Sequence, residues 1–341
     1  MKNYANNFYN KPFTYIYVEE QAQRHENTKH ILEKFPDAQI IPIKHYKDIF
    51  NRKNQNPVAQ KSAPSLILAV QNETFIYPGA PVCQSFGNEH FYYSSLIMNC
   101  IFDCEYCYLQ GMYPSGHPVI FVNIEDCFSK LDELLREHPI YLCISFDTDL
   151  LAFENITGYA AKWIEYCRTH PDLTIEIRTK SANFKAISNL DIPDNVILAW
   201  TLTPDYVINH FEHKTPALDK RIQAVCQAID KDLNVRLCFD PVLYFSDYQT
   251  HYTEFFKYVF DNVNPNKIKD VSFGEFRVSC DYLKKMRRLR PESLVLQYPY
   301  DTGSGVAGYD KTLSKELIEF FKEQLSHYVS DDKIYIWEGA D

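Results

Sequence analysis

Glycine is scarce in this sequence, with 10 glycines among 341 residues. Tyrosine and phenylalanine are abundant instead, with 25 and 23 residues, so low-complexity and disordered classes are excluded. No run of about 18 apolar residues occurs, and the opening stretch MKNYANNFYNKPF lacks the apolar core of a secretory signal. We therefore expect a cytoplasmic protein with no membrane-spanning helix and no membrane partner.

A net positive charge is also missing, because the formal net charge is −10. Proteins that bind DNA usually carry a basic surface, since contacts with phosphates supply much of their affinity. Any such surface must be local in this chain. The candidates are KKMRRLR at 284–290 and the scattered basic residues of 47–61, although each taken alone is more typical of solvated surface charge.

The ten cysteines are expected to be thiols or metal ligands rather than disulfides in a cytoplasmic chain. Three of them, Cys100, Cys104 and Cys107, are clustered. The others are isolated, and each is predicted to be a small buried apolar residue. These are Cys83, Cys127, Cys143, Cys167, Cys226, Cys238 and Cys280.

Residues 1–85 are predicted to form an N-terminal α/β region. The runs TYIYVEE at 14–20 and PSLILAV at 64–70 are rich in β-branched and aromatic residues, which is typical of strands. A helix is expected near 22–34. We predict a second region over 86–330, and a C-terminal strand and tail over 331–341, with a helix at 312–327 preceding the strand at 333–339.

Apolar, strand-like runs alternate with longer amphipathic segments from about residue 94 onward. Such alternation favours a parallel sheet with helices packed outside it, and six units fit a partial (β/α)6 barrel. The predicted strands are 94–99, 139–145, 173–178, 195–201, 234–240 and 268–276, and the predicted helices are near 125–137, 157–169, 183–190, 217–231 and 249–262.

Polar residues follow most of the predicted strands. In parallel α/β folds the active site lies at the carboxyl ends of the strands, so we expect these side chains to share one barrel mouth. They are Thr148, Asp149, Thr179, Lys180, Thr201, Thr203, Asp240, Glu275 and Arg277. The three clustered cysteines are expected to follow the first strand directly.

The clustered cysteines have the spacing C-x3-C-x2-C. Three thiolates on one short loop can bind three irons of a [4Fe–4S] cluster and leave the fourth iron open to another ligand. The alternatives are incidental cysteines and a zinc site with His90 or His117 as fourth ligand. Zinc sites normally contain a second pair of ligands about 12 to 20 residues away, and no such pair is near.

The cysteine motif with its tyrosine, CEYC at 104–107, resembles the radical S-adenosylmethionine (SAM) superfamily. CEYCYLQ at 104–110, followed by PVIFVNIED at 118–126, is similar to the spore photoproduct lyase family, as is DYVINHFE at 205–212 with LDKRIQA at 218–224. Weaker matches are PVAQKSAPSLILAV at 57–70 and TDLLAFENIT at 148–157.

The resemblance implies a radical SAM lyase with two cofactors, a [4Fe–4S] cluster and S-adenosylmethionine. It implies that reductive cleavage of SAM gives a 5′-deoxyadenosyl radical, which abstracts hydrogen from the substrate. The implied partners are a DNA lesion or another nucleotide, and an electron donor such as flavodoxin or ferredoxin. The implied site residues are Cys100, Cys104 and Cys107 at the metal, Tyr106 and Tyr108 in catalysis, and Thr148, Asp149, Lys180 and Thr201 at SAM.

The sequence departs from the family in two places. The family has a hydrogen-donating cysteine three residues before Asp149, where this chain has Phe146. Cys143 is offset from Phe146 by an odd number of residues, and strand alternation would point it to the opposite face. The family also has an arginine–tyrosine pair near its C-terminus, but 298–310 contains no arginine, and Tyr298, Tyr300 and Tyr309 are the residues there that could stack on a base.

Three functions are consistent with these residues. The first is radical repair of a thymine dimer lesion, the reaction of spore photoproduct lyase. The second is the same radical chemistry on a different nucleotide lesion or a peptide. The third is a non-catalytic zinc or iron–sulfur protein that binds nucleic acid.

Overall fold

The computed structural model describes residues 13–80 and 83–337. In order along the chain the strands are β1 (Tyr15–Glu19), β2 (Gln39–Ile43), β3 (Leu66–Ala69), β4 (Ile76–Pro78), β5 (Phe91–Ser94), β6 (Ile97–Met98), β7 (Asp103–Cys104), β8 (Val119–Phe121), β9 (Ile140–Cys143), β10 (Leu173–Thr179), β11 (Val196–Thr201), β12 (Glu212–His213), β13 (Val235–Val242), β14 (Asp270–Glu275), β15 (Val278–Ser279), β16 (Val306–Ala307) and β17 (Ile334–Ile336).

The α-helices are α1 (Glu26–Leu32), α2 (Lys47–Phe50), α3 (Pro57–Ser62), α4 (Leu109–Met112), α5 (Ile124–Leu135), α6 (Glu154–Thr157), α7 (Tyr159–Arg168), α8 (Asp205–Phe211), α9 (Leu218–Ile229), α10 (Tyr248–Asn262), α11 (Cys280–Leu289), α12 (Leu294–Gln297) and α13 (Lys311–Ser326). None of the helices within 13–80 and 83–337 is long and apolar enough to cross a membrane.

The larger sheet confirms the predicted partial barrel. Its parallel strands follow the order β5-β9-β10-β11-β13-β14, which is the order of the chain. The short C-terminal strand β17 adds in parallel beside β14, and β4 adds antiparallel beside β5. Helices pack outside the sheet, where Trp163 of α7, Phe256 of α10 and Phe321 of α13 are fully buried.

The inside of the curved sheet, called the lumen here, holds a buried ionic network at its amino end. Arg236 of β13 forms a bidentate pair with Asp270 of β14 and donates to Glu176 of β10 at 2.6 Å and to the hydroxyl of Tyr141 of β9 at 2.7 Å. Because β9 and β13 are not neighbouring strands, these contacts cross the lumen. The alternate residues of β10, such as Ile175, face the helices instead and belong to the main core.

The smaller sheet has the order β2-β1-β3-β8-β6. It confirms the strands predicted at 14–20 and 64–70 and adds β2, which the sequence analysis missed. Pro42 lies in β2, which is an edge strand, the position in a sheet where proline is tolerated. Two strands from beyond residue 85, β6 and β8, complete this sheet, so it is continuous with the region that carries the clustered cysteines.

Two predicted elements were wrong. The first barrel strand is Phe91–Ser94 rather than 94–99, because Ile97 and Met98 pair with β8 in the smaller sheet. The cysteines therefore follow a strand of the smaller sheet. The helix predicted at 183–190 is reduced to a short 3-10 turn, Asn183–Ala186, since the side chain of Ser181 accepts from the Asn183 amide and competes with helical bonding.

Candidate active site

The cysteine loop, residues 99–108, joins β6 to α4 and is fixed by long-range hydrogen bonds. The ammonium of Lys61 donates to the carbonyls of Cys100 at 2.6 Å and Phe102 at 2.8 Å. Strand β7 within the loop pairs antiparallel with β12, which follows α8. The side chain of Gln110 donates to the carbonyl of Cys104 at 2.5 Å. The loop backbone is therefore held in place by the protein itself.

The thiols of Cys100, Cys104 and Cys107 lie close enough to interact electrostatically with one another. Burial raises the pKa of all three, while the ammonium groups of Lys61 and Lys180 act in the opposite direction. Amide N–H groups donate to the sulfurs of Cys100 and Cys107, from Phe102 and Leu109 respectively. Amide donors and nearby cations stabilise thiolates and tune iron–sulfur clusters, so these residues fit the cluster expected from the sequence.

Zinc and a cubane cluster make different demands on three thiols. Zinc requires its ligands to converge on one point, with Zn–S distances of about 2.3 Å. Within 13–80 and 83–337, no three side chains of His, Cys, Asp or Glu form a group that could hold a metal ion. A cubane makes no such demand, because each thiolate binds a different iron.

Neither histidine proposed as a fourth zinc ligand is arranged for that role. His117 accepts a hydrogen bond from the Ser65 amide through Nδ1 at 3.0 Å, and burial lowers its pKa to about 4. The ring of His90 stacks on His138 with centroids 3.7 Å apart. Both rings are thus occupied in contacts away from the three thiols.

The predicted SAM-binding residues Thr148, Asp149 and Lys180 are brought together beside the cysteine loop. The hydroxyl of Thr148 donates to the carbonyl of Asn99 at 2.9 Å. The buried carboxylate of Asp149 accepts from the Thr179 hydroxyl and from the Lys180 amide, both at 2.7 Å, and from the Ala152 amide at 3.1 Å. Asp149 is therefore placed to hold the end of β10, and with it Lys180, rather than to present a free carboxylate.

Glu212 links the predicted SAM site to the cysteine loop. Its buried carboxylate accepts from the hydroxyl of Tyr106, from Thr203 at 3.0 Å and from the guanidinium of Arg221 at 2.5 Å. The ammonium of Lys180 lies 3.9 Å from the same carboxylate and 5.5 Å from the centre of the Tyr106 ring.

The carboxylate of Glu212 is shared by two cations, Arg221 and Lys180. Burial raises the pKa of Glu212, but Arg221 and Lys180 lower it by more, to about 2. Burial lowers the pKa of Lys180, but Glu212 and Cys104 oppose this effect and the pKa is raised overall, so the ammonium remains protonated. Arg221 also donates to the carbonyl of Thr201 at 3.2 Å, which places this predicted SAM-binding residue in the same network.

The sequence analysis quoted the segments that contain Glu212 and Arg221 but missed the roles of these two residues. The two residues are nine positions apart, on the short strand β12 and on the helix α9 that follows it. This spacing matches no sequence pattern that would predict an ion pair. The only hint was their position within the two segments that resemble the family.

Tyr108 and Phe146 form an aromatic wall beside Cys107. The Tyr108 hydroxyl donates to the carbonyl of Phe146 at 2.6 Å, and the Phe146 ring stacks on Tyr93 at a centroid distance of 4.1 Å. Burial raises the pKa of both Tyr106 and Tyr108 well above the ordinary value. Both phenols therefore retain their O–H hydrogens at neutral pH.

Two further thiols lie in the lumen, Cys83 and Cys143. The alternation argument against Cys143 does not apply, because β9 ends at Cys143 and Phe146 lies in the loop beyond it. Charges on Glu176, Arg178 and Cys83 influence the pKa of Cys143, so its thiol is on the lumen side.

Cys83 is the thiol associated with the aromatic wall. Its charge is among the smaller influences on the pKa of Tyr93, Tyr108 and Cys143, which associates it with this side of the lumen. Burial raises its pKa, which keeps the S–H bond intact at neutral pH. Sequence reasoning missed Cys83 because it precedes the cysteine loop as an isolated residue and joins the wall only through folding.

Arg277 lies next to the segment that lacks the expected arginine. It follows β14, and its Cβ would lie 4.0 Å from a Cβ built on Gly308. Its guanidinium stacks on Trp337 at 2.9 Å from the ring centroid, and it interacts electrostatically with Asp240, Cys83 and Glu275. Arg277, just after the end of β14, therefore supplies a cation beside the 298–310 segment near the mouth of the lumen.

Tyr298, Tyr300 and Tyr309, which the sequence analysis considered for stacking, form a cluster with ring centroids 5.0 to 5.3 Å apart. Tyr300 and Tyr309 are buried, and only Tyr298 is partly exposed. The structure thus favours a packing role for Tyr300 and Tyr309.

Comparison with known proteins agrees with this geometry. A family model described as spore photoproduct lyase matches residues 11–293. Spore photoproduct lyase of Clostridium acetobutylicum is 22% identical over 253 residues, covering 70% of this chain and 74% of that protein. The Bacillus subtilis protein of the same name is 21% identical over 268 residues, covering 76% of each chain.

Solved structures of spore photoproduct lyase have the same fold. One, in complex with dinucleoside spore photoproduct, superposes with a TM-score of 0.81 at 18% identity, covering 96% of this chain and 99% of that one. A double mutant with bound AdoMet and the same dinucleoside gives 0.80 at 18% identity, covering 97% of this chain and 100% of that one. Because the family model matches most of the sequence, this chain belongs to the spore photoproduct lyase family.

Proposed function

We propose that this protein is a radical SAM lyase that reverses a thymine dimer lesion in DNA, the reaction of spore photoproduct lyase. The observation that carries the proposal is the arrangement at the barrel mouth. The cysteine loop, the cation of Lys180 and the phenols of Tyr106 and Tyr108 meet there, within a chain of this family.

Cys100, Cys104 and Cys107 would hold three irons of a [4Fe–4S] cluster, leaving one iron for SAM. When bound, these cofactors supply a 5′-deoxyadenosyl radical by one-electron cleavage of SAM. Lys180, kept protonated beside Glu212, would bind the SAM carboxylate. Asp149 accepts from the Lys180 amide, and Arg221 of the Glu212 network donates to the Thr201 carbonyl, so both would help to orient these residues. An electron donor such as flavodoxin or ferredoxin would supply the electron.

The aromatic wall of Tyr93, Tyr108 and Phe146 would exclude water from the reacting carbon atoms. We infer that the thiol of Cys83 completes the reaction. Transfer of its S–H hydrogen atom to the product radical would form the product C–H bond and leave a thiyl radical on Cys83. This role replaces that of the cysteine that the family has where this chain has Phe146.

A second candidate is the same chemistry on a different nucleotide lesion. Two specific departures favour it: Phe146 stands at the family's donor position, and the cation near 298–310 comes from Arg277 instead of from that segment. Phe146 touches the cysteine loop only at Tyr108, and neither change involves the three cysteines themselves.

The test is anaerobic reconstitution with iron and sulfide, followed by incubation with SAM, dithionite and dinucleoside spore photoproduct. We expect 5′-deoxyadenosine and two thymidines. Cleavage of SAM without thymidine would favour the second candidate, and absence of SAM cleavage would refute both. Cys83→Ala should continue to cleave SAM while thymidine formation falls, whereas Cys226→Ala, remote on α9, should behave like the wild type.

A further inference from the structure

Helix α11 carries three exposed basic residues on one face: Lys284, Lys285 and Arg288. Arg288 is four positions from Lys284 and three from Lys285, and these spacings place side chains on the same side of a helix. We call these three residues the α11 basic face. We propose that the α11 basic face binds the phosphates of the DNA strand that flanks the target nucleotide, an inference that rests on the proposed function. It would supply the local positive surface that a chain of net charge −10 needs in order to bind DNA.

The opposite side of α11 contacts the elements that carry the cysteines. A Cβ at Gly111 of α4 would lie 2.6 Å from Cα of Tyr282, so the two backbones touch directly. Arg290, just after α11, forms a buried ion pair with Asp103 of the cysteine loop at 2.5 Å and donates to the side chain of Gln110 at 2.8 Å. The α11 basic face is therefore anchored within one helix diameter of the cysteine loop, where flanking nucleotides would pass.

The basic residues of α11 divide into two sets. Arg287 is used inside the protein, where it donates to the carbonyls of Leu296 at 2.6 Å and Tyr298 at 2.7 Å. By contrast, none of the three residues of the α11 basic face forms an ion pair with a carboxylate of the described residues, although Asp281 and Glu292 are exposed nearby. Lysines on other helices do form such pairs, as between Lys257 and Asp261. The α11 basic face thus has its charges available.

Exposed apolar and aromatic groups continue from the α11 basic face toward the barrel mouth. Leu294 is 73% exposed, and the backbone bonds of Arg287 fix the segment from Leu296 to Tyr298 beside α11. The ring of Tyr298 packs 5.7 Å from Tyr244, which follows the end of β13 and is 39% exposed. Cations beside aromatic faces suit a nucleic acid strand, which offers phosphates and bases together. This combination favours DNA over an acidic protein as the partner.

The test uses full-length reconstituted protein with Lys284→Glu, Lys285→Glu and Arg288→Glu combined. A matched control carries Lys311→Glu, Lys315→Glu and Lys322→Glu, three exposed positions on α13 with the same change of charge. Fluorescence anisotropy measures binding to an undamaged single-stranded oligonucleotide over a series of salt concentrations. Turnover is measured in parallel on dinucleoside spore photoproduct, which has no flanking strand.

We expect the α11 variant to bind the oligonucleotide about tenfold or more weakly, with a salt slope shallower by about 2, while the control stays within about twofold of the wild type. Turnover of the dinucleoside should be unchanged. Equal binding by the two triple variants would overturn the proposal. A defect seen only when flavodoxin replaces dithionite would overturn it too, in favour of an acidic electron donor. Binding of undamaged DNA needs no repair activity, so the anisotropy measurement tests the α11 basic face alone. The dinucleoside assay tests the proposed repair reaction, and a failure of that reaction would appear only there.

Discussion

Replacing Glu212 by glutamine should destabilise the protein strongly, because the guanidinium of Arg221 would lose its buried counter-charge. Both side chains of the pair are fully buried, and Arg221 has no other carboxylate within reach among the described residues. Removal of one partner of a buried ion pair typically costs about 3–5 kcal/mol. The position of Lys180 should also change, since Glu212 is the carboxylate 3.9 Å from its ammonium.

The pKa of Glu212 gives a similar magnitude. A change from 4.5 to about 2 corresponds to about 3 kcal/mol, at 1.36 kcal/mol per pKa unit. Because the folded state has the lower pKa, this stability is fully present above pH 4.5 and is lost as the pH falls toward about 2. Wild-type protein should therefore lose stability in this acidic range more steeply than the Glu212→Gln variant.

Urea unfolding of the wild type, Glu212→Gln, Arg221→Met and the double variant measures these effects. The double variant should be more stable than Glu212→Gln, since it also removes the Arg221 cation that the single change leaves unpaired, whereas in Arg221→Met the carboxylate of Glu212 keeps Lys180 as its partner. Asp261→Asn, which breaks the exposed pair with Lys257, is the control and should cost less than about 1 kcal/mol. A loss at Glu212 as small as that of the control, or a double variant less stable than both single variants, would refute the reasoning.

Other predictions concern the cysteine loop, the SAM site and acid stability. Gly111→Ala should destabilise the folded protein by about 1–3 kcal/mol and lower the iron content after reconstitution, because the added methyl group would push α4 away from Tyr282. Gly303→Ala is the control, since open space surrounds that position. Equal iron content in the two variants would contradict this prediction. Lys180→Met should weaken SAM binding about 30-fold or more in equilibrium dialysis, while the exposed Lys185→Met should not. Burial lowers the pKa of His117 from 6.5 to about 4, so the contribution of the neutral ring to stability falls as the pH drops from 6.5 toward 4. The melting temperature of His117→Gln should therefore depend less on pH between 6.5 and 4 than that of the wild type. An equal pH dependence in the two proteins would exclude a contribution of His117 to acid sensitivity.

Local pattern was sufficient for most of the fold. The strands of the partial barrel have continuous apolar runs because they are covered on the outside by helices, and this composition is visible in the sequence. The cysteine spacing was equally visible, because all three residues lie on one short loop. The first barrel strand was misplaced because Phe91–Ser94 and Ile97–Met98 both resemble strands, and only pairing with β9 or β8 distinguishes them.

The contacts that organise the site were beyond local pattern. Tyr106 and Glu212 are 106 residues apart, and Arg290 and Asp103 are 187 residues apart. Tyr108 and the carbonyl of Phe146 are likewise 38 residues apart. Such pairs depend on topology, so the sequence showed the reacting loop but not the residues that position it.

The most direct test of the account is electron paramagnetic resonance of reduced, anaerobically reconstituted protein, with and without SAM. We expect a [4Fe–4S] signal that changes when SAM is added, and loss of the signal in Cys100→Ala, Cys104→Ala or Cys107→Ala but not in Cys226→Ala. A sample that binds zinc without sulfide, or a cluster signal that persists after removal of Cys107, would contradict it.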